Sequence, residues 1–147
     1  MSGYFLGAFA SSLISPGQIK KTGQIRTYAA FASIASTAIL IQLLFIEPPV
    51  WFVARFLSGF CVAGIMIIVE GWLRSISSNE NRGQLFSIHM MVVWAGLAMG
   101  QGLFVIDSPA GVNLFLLASI LLSISLIPIL LTEIKAPEVE MQEPLGF

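Results

Sequence analysis

Charged residues are scarce in this 147-residue chain: 10% of its residues are Asp, Glu, Lys or Arg, against about a quarter in soluble domains. The net charge of -1 excludes a strongly basic surface for nucleic acid. The single cysteine, Cys61, excludes an intrachain disulfide and a cysteine-based metal cluster. The sequence also contains no HExxH, no GxSxG and no phosphate-binding glycine–lysine loop. We therefore predict no enzyme, no metal site and no cofactor.

Apolar residues, in contrast, make up 56% of the chain and give it a mean hydropathy of +0.90. An ordinary globular core cannot use this much apolar surface, whereas a bilayer can. A membrane-spanning helix needs about 20 mostly apolar residues. We predict an all-α, polytopic transmembrane helix bundle over 1–131 and an unstructured acidic cytoplasmic tail over 132–147. The five predicted spans cover about 3–19, 27–46, 50–73, 85–106 and 112–131.

The first predicted span is short and weakly apolar, so a signal peptide is its alternative interpretation. Basic residues follow this segment rather than precede it, which disfavours that alternative. If the spans alternate in direction, the cations of the connections and of the tail all fall on one side: Lys20, Lys21, Arg26, Arg74, Arg82 and Lys135.

The other side of the predicted bundle carries Glu47 and Asp107. The positive-inside rule makes the basic side cytoplasmic, with the N-terminus outside and the C-terminus inside. An outside N-terminus without an export signal leads us to expect that a preceding span is missing and that the chain is truncated.

The third span, from Val50 to Leu73, organises the sequence because it carries charge within an apolar segment. Residues three or four apart share one face of a helix. Charges at membrane depth are costly, so they are functional hypotheses by default. This face suits a protein interior or a water-lined path better than lipid, and it contains Arg55, Gly59, Ala63, Met66 and Glu70.

Three sequence features occur in the order found in a known family. They are Arg55 to Gly59 followed by Ala63-Gly64, then Glu70 at the inner end of the third span, then Asn81-Arg82-Gly83. Over most of its length the chain resembles spans two to six of a major facilitator superfamily transporter. The resemblance implies transport of a small solute by alternating access, with repeats that rock about a central site.

The sequence departs from the family pattern in two places. Pro16 and Lys20 stand where the family usually has a glycine and an aspartate, although Lys21 and Arg26 are compatible with its basic run. The segment 96–102 is similar to the glycine-rich signature of drug antiporters but lacks its proline. We therefore assign no antiporter.

Four residues are candidates for substrate binding or coupling: Arg55, His89, Trp94 and Gln101. Arg55 either extends to the outer interface or faces the bundle and takes part in proton or substrate coupling. Trp94 and Gln101 are seven residues apart on one helix face, where an indole and an amide could contact substrate. Gln101 could instead join two helices, and His89 could be a hydrogen-bonded packing residue rather than a proton carrier.

Glu70 is the centre of a predicted cytoplasmic gate. Its simplest partner is Arg74, four residues on along the same helix. The functional alternative joins Glu70 to Arg82 or Arg26 across neighbouring helices, as a latch that breaks on inward opening. Lys21 completes this set of gate candidates.

Small residues are expected to let helices approach closely, with Gly3 and Gly7 in the first span. The packing candidates of the later spans are Gly59, Ala63, Gly64, Gly96 and Gly100. Trp51 and Trp72 flank the third span as interfacial anchors.

Two functions stay open at this point: part of a transporter, or a small structural or assembly subunit of a membrane complex. The expected partners are the lipid bilayer, a small-molecule substrate with an optional coupling proton, and a missing transporter half or partner subunit. A bacterial cytoplasmic membrane is the expected location. Since the family encloses substrate between two six-span halves, we expect the isolated chain to insert but not to transport.

Overall fold

The computed structural model describes residues 2–106 and 112–131, and every regular element in these ranges is an α-helix. The predicted turn at 107–111 and the predicted tail at 132–147 lie outside the described residues. The predicted all-α bundle is confirmed. Its helices are α1 (Ser2–Thr22), α2 (Gln24–Leu44), α3 (Pro48–Ile76), α4 (Arg82–Ile106) and α5 (Val112–Leu131).

Four helices are long and apolar enough to cross a membrane: Gln24–Leu44, Pro48–Ile76, Arg82–Leu103 and Val112–Leu131. Helix α1 is not among these four, since serines interrupt its apolar residues. Its outer surface is nevertheless apolar, with Phe5, Phe9 and Leu13 each about two-thirds exposed. Exposed apolar surface on this scale suits lipid rather than water.

A single residue, Gly23, connects α1 to α2. Its φ of 91° and ψ of 155° lie in a region that is essentially restricted to glycine. The Gly23 N–H donates to the Ile19 carbonyl at 2.9 Å, and the Thr27 hydroxyl donates to the Gly23 carbonyl at 2.7 Å. The polar stretch that we predicted as a loop therefore forms helix ends, and α2 begins three residues earlier than predicted.

The turn between α2 and α3 follows from two prolines. Pro48 and Pro49 occupy the first positions of α3, where a missing N–H costs nothing. The Trp51 indole N–H donates to the Gln42 carbonyl at 3.1 Å, which ties the end of α2 to the start of α3.

Helices α1 and α3 pack backbone to backbone through small residues. The buried residues of α1 are spaced by four: Gly3, Gly7, Ser11 and Ser15. A Cβ on Gly7 would overlap the Phe56 carbonyl, and a Cβ on Gly59 would overlap the Tyr4 carbonyl. This contact therefore requires glycine on both helices.

The core of the described part lies between α2 and α3. It consists of Tyr28, Phe31, Ala32, Ala35, Cys61 and Ile68. Gly64 lies where three helices meet, because a Cβ there would overlap the Phe31 ring and lie 3.1 Å from the Ser15 hydroxyl. The Phe31 and Phe60 rings pack edge to face, 5.6 Å apart.

Helix α5 is attached to α2 by hydroxyl groups. The Ser36 and Ser119 hydroxyls are 2.6 Å apart and both residues are buried. The Ser123 hydroxyl lies 3.4 Å from Ser36 and donates to the Ser119 carbonyl at 2.9 Å. Such pairs join helices where apolar contact with lipid and with protein is equally favourable.

Helix α4 has little packing in comparison. None of its residues in 82–103 is buried. A turn holds its start, where the Ser78 N–H donates to the Asn81 side-chain oxygen at 2.8 Å and the Arg82 N–H donates to the Ser78 carbonyl at 3.0 Å. Its apolar sides therefore remain open in the described part of the chain.

Candidate functional site

Arg55 lies two turns into α3 and its side chain is exposed. Its guanidinium carbon is 6.0 Å from the centroid of the Trp51 ring, one turn earlier. This distance permits a cation–π interaction. Among the described residues Arg55 has no acidic partner.

The predicted face of α3 is not buried as a whole. Gly59 is buried, Ala63 and Glu70 are half-buried, and Met66 is exposed like Arg55. The buried face is rotated from it because α1 and α2 both pack on α3. Its members are Ala54, Ser58, Gly59, Cys61, Gly64 and Ile68.

Glu70 contacts Arg74 in the structure. The Glu70 Oε2 and Arg74 Nη2 atoms are 3.8 Å apart, and the Arg74 side chain is 61% exposed. At this separation and exposure the pair contributes at most a few tenths of a kcal/mol. It is the only ion pair within residues 2–106 and 112–131. The alternative partners Arg26 and Arg82 are both exposed, as is the further gate candidate Lys21.

An aromatic pair close to Glu70 joins the start of α2 to the end of α3. The Tyr28 and Trp72 rings stack 5.9 Å apart with an angle of 23° between their planes. Tyr28 is buried, and Trp72 packs against the core cluster. The sequence predicted Trp72 as an interfacial anchor, but it gave no signal for its partner.

The candidates on α4 lie on a helix with few neighbours. His89 is half-buried, whereas Trp94, 68% exposed, and Gln101 are exposed. A Cβ on Gly96 or on Gly100 would meet no described atom within 4 Å. In the part of the chain that the structure covers, no hydrogen bond or ion pair joins these residues to Arg55. Their roles, like those of the packing residues, stay predictions.

Gln42 is a buried polar residue that sequence reasoning missed. It is 3% exposed, and its amide nitrogen donates to the Ala38 carbonyl at 3.4 Å. Its amide oxygen has no partner among the described residues. An apolar groove of about 320 Å³ lies nearby between α2 and α3, lined by Ala38, Ile41, Pro49, Val50, Val53, Ala54 and Leu57.

The described ranges contain no group of three or more His, Cys, Asp or Glu side chains that could hold a metal ion. The arrangement is a bundle of apolar helices in which α3 carries Arg55 and the Glu70–Arg74 pair. A family model for the Major Facilitator Superfamily matches residues 1–146. The chain belongs to the Major Facilitator Superfamily. The family resemblance seen in the sequence is thereby confirmed, and the chain is an integral membrane protein.

Similar proteins of the Major Facilitator Superfamily occur in enterobacteria. The chain is 28% identical over 142 residues to YcaD of Escherichia fergusonii, an uncharacterized MFS-type transporter. The alignment covers 97% of this chain and 37% of that protein. It is 30% identical over 132 residues to an uncharacterized MFS-type transporter of Yersinia pestis, covering 90% of this chain and 35% of the relative. The chain thus spans a little over a third of the length of these relatives. No solved structure matches it significantly.

Proposed function

We propose that this chain is part of a secondary active transporter that moves a small solute across the membrane by alternating access. Membership of the superfamily over residues 1–146 supports this function, as do relatives named MFS-type transporters. The observation that carries it is a 29-residue apolar helix, α3, with Arg55 and Glu70 within it. Charges on such a helix have a high energetic cost, so their presence favours a functional role.

Arg55 is the proposed contact for substrate or for a coupling proton. Its guanidinium lies over the face of Trp51 and has no acidic partner among the described residues, so it can bind an anionic group without breaking an ion pair. Trp94, Gln101 and His89 complete the proposed path from α4.

Glu70 is the proposed centre of the cytoplasmic gate. Its contact with Arg74 is long and half-exposed, and exchanging it for another cation costs little. We propose that Glu70 exchanges Arg74 for Arg26 or Arg82 as the inner side closes, with Lys21 as a further candidate of this gate. The Tyr28–Trp72 stack holds the start of α2 against the end of α3. The proposed exchange of ion-pair partners therefore takes place between packed helices and not in an unwound helix end.

The proposed location is a bacterial cytoplasmic membrane, in line with the enterobacterial relatives. The proposed partner of α4 is the remainder of the transporter. We expect this chain alone to insert without transporting, because a central site between two halves needs both of them.

If the chain is part of a longer transporter, as proposed, the test uses that protein, with uptake of a panel of labelled small solutes by cells. Arg55→Leu should abolish uptake of the solute that the unaltered protein carries, at equal amounts in the membrane, because the charge is lost. Arg55→Lys is the matched control and should retain part of the activity.

Uptake that is unchanged in Arg55→Leu would contradict the proposed role of Arg55. Glu70→Gln should shift the protein towards inward-facing accessibility, measured by labelling of single cysteines. Normal uptake and accessibility with both charges neutralised would show that neither charge takes part in transport, and would favour the alternative, a structural or assembly role for this segment.

A further inference from the structure

Trp51 lies in the first turn of α3 and contacts another helix through its indole. The indole N–H donates to the Gln42 carbonyl, in the last turn of α2, at 3.1 Å. The last four carbonyls of a helix have no partner within that helix. The Phe45 N–H already donates to the Ile41 carbonyl at 3.0 Å, so the Gln42 carbonyl is the next one that needs a donor. The indole N–H supplies it.

This hydrogen bond orients the indole ring from a second helix. Gln42 is buried, so water does not compete for the bond at its carbonyl. The Trp51 backbone N–H donates to the Glu47 carbonyl at 3.0 Å, which fixes the start of α3. The ring is therefore held at its backbone and at its N–H, and the packing of α2 against α3 sets its orientation.

The face of this ring lies beside Arg55, one turn further along α3. The Arg55 guanidinium carbon is 6.0 Å from the ring centroid, at a distance where the quadrupole of the ring attracts a cation. An arginine side chain has many rotamers when nothing holds it, so this attraction restricts where the guanidinium lies. The Arg55 side chain is still exposed, and contact with the ring does not withdraw it from a ligand.

Two simpler explanations cover part of this arrangement. Tryptophan favours the ends of membrane helices as an interfacial anchor, and residues four apart on a helix are neighbours whatever their role. The first explains why an aromatic residue stands at position 51, and the second why Arg55 is near it. Neither explains why a carbonyl of α2 holds the ring whose face Arg55 contacts.

We propose that Trp51 is a positioning residue, whose indole, held by the Gln42 carbonyl, orients the Arg55 guanidinium towards an anionic group of the solute. This inference rests on the proposed function, in which Arg55 contacts substrate. Through it the packing of α2 on α3 determines where the positive charge of the site lies.

The contact itself is tested in the purified 147-residue chain in detergent, without any substrate. The chain has three tryptophans, so labelling with 5-fluorotryptophan gives three ¹⁹F NMR resonances, which single Trp→Phe variants assign. Arg55→Leu should shift the Trp51 resonance because the cation leaves the ring face. Arg55→Lys, which keeps the charge, should shift it less. Arg74→Leu, a cation near the other end of α3, is the positional control and should leave the Trp51 resonance unchanged.

The consequence for transport is tested in the longer transporter, if the chain is part of one, as proposed. Trp51→Leu should raise the solute concentration that gives half-maximal uptake roughly two- to fivefold, the equivalent of one cation–π contact at an exposed site. The maximal rate per protein in the membrane should not change. Trp51→Phe should retain part of the affinity, since its ring also attracts a cation but has no N–H for Gln42. Phe45→Leu, which removes an exposed aromatic at the same end of the bundle, is the control for loss of an anchor and should leave the half-maximal concentration unchanged.

The two tests separate failure of this inference from failure of the proposed function. A Trp51 resonance that does not move in Arg55→Leu would overturn the inference, even if the same change abolishes uptake. A half-maximal concentration that is unchanged in both Trp51→Leu and Trp51→Phe would also overturn it. A shifted resonance together with unchanged uptake in Arg55→Leu would contradict the proposed function, and the positioning role with it.

Discussion

Two pairs of glycines with the same spacing have opposite surroundings in this molecule. Gly3 and Gly7 of α1 are buried against α3, so closely that a methyl group on Gly7 would overlap the Phe56 carbonyl. Gly96 and Gly100 of α4 have no described atom within 4 Å of where a Cβ would lie. The spacing prepares a helix face for close approach in both cases. The spacing alone does not show whether the helix that packs on this face belongs to the same chain.

In the described part of the chain, four helices hold the fold together and the faces of α4 stay open. Helices α1, α2, α3 and α5 have mutual contacts through small residues, an aromatic core and hydroxyl pairs. Helix α4 is joined to them mainly through its first turn. The predictions below test this contrast, beginning with the residue for which the structure leaves least room.

Gly7→Ala should have the largest effect. The added Cβ would overlap the Phe56 carbonyl, and backbone cannot move aside as a side chain can. We expect a loss of about 3 kcal/mol in the free energy of unfolding, the upper end for an overpacked contact. Unfolding of the purified chain by denaturant, followed by circular dichroism, measures it.

Gly17→Ala is the matched control in the same helix, because a Cβ there meets no described atom within 4 Å. It should be neutral or slightly stabilising, since alanine favours helix more than glycine does. Equal stabilities of the two variants would mean that α1 and α3 do not approach as closely as described.

An intermediate effect is expected from the hydroxyl pair between α2 and α5. Ser36→Ala and Ser119→Ala each remove a buried hydrogen bond with a separation of 2.6 Å. In a double-mutant cycle the coupling free energy should be roughly 0.6 to 1.7 kcal/mol. Ser12→Ala is the control, because its exposed hydroxyl contacts only the Phe9 carbonyl in its own helix. Coupling close to zero would show that α5 is held by apolar contact alone.

Gly100→Ala should have the smallest effect in the isolated chain, within about 0.5 kcal/mol, because the site is open. If the chain is part of a longer transporter, as proposed, and another helix of it covers this face, the same change should destabilise that protein by about 1 to 3 kcal/mol. Thermal unfolding of both proteins measures the difference. No loss of stability in the longer protein would show that the glycine pair of α4 serves no close contact.

The helical class and most helix positions could be predicted because apolar length alone nearly determines them in a membrane protein. The third span was predicted to begin at 50, directly after the two prolines, whereas α3 begins at Pro48 and includes both of them. The sequence suggested a longer loop between the first two helices than the single residue that connects α1 to α2. The lysine, glutamine and threonine residues of this stretch are tolerated in helix ends. Only Gly23 breaks the backbone, and nothing in the sequence distinguishes it from Gly17.

The candidate site was less accessible to sequence reasoning. The contact between Glu70 and Arg74 is local, so helix spacing gave it as one of two alternatives. The Tyr28–Trp72 stack joins residues 44 positions apart, and such pairs depend on how helices rotate about their axes. That rotation could not be read for α3 because small residues occur on several of its faces. One of the two interpretations of Arg55 placed its side chain against the bundle. In the described structure this side chain is exposed.

The serine and glycine face of α1 has a consequence for how the protein is made. The residues that let α1 approach α3 are also those that make it less apolar than the other helices. Its favourable contacts lie on α3, which the ribosome synthesises later. We therefore expect the lateral transfer of α1 into lipid to depend on the arrival of α3. On this expectation, α1 and α3 would enter the bilayer together rather than one at a time.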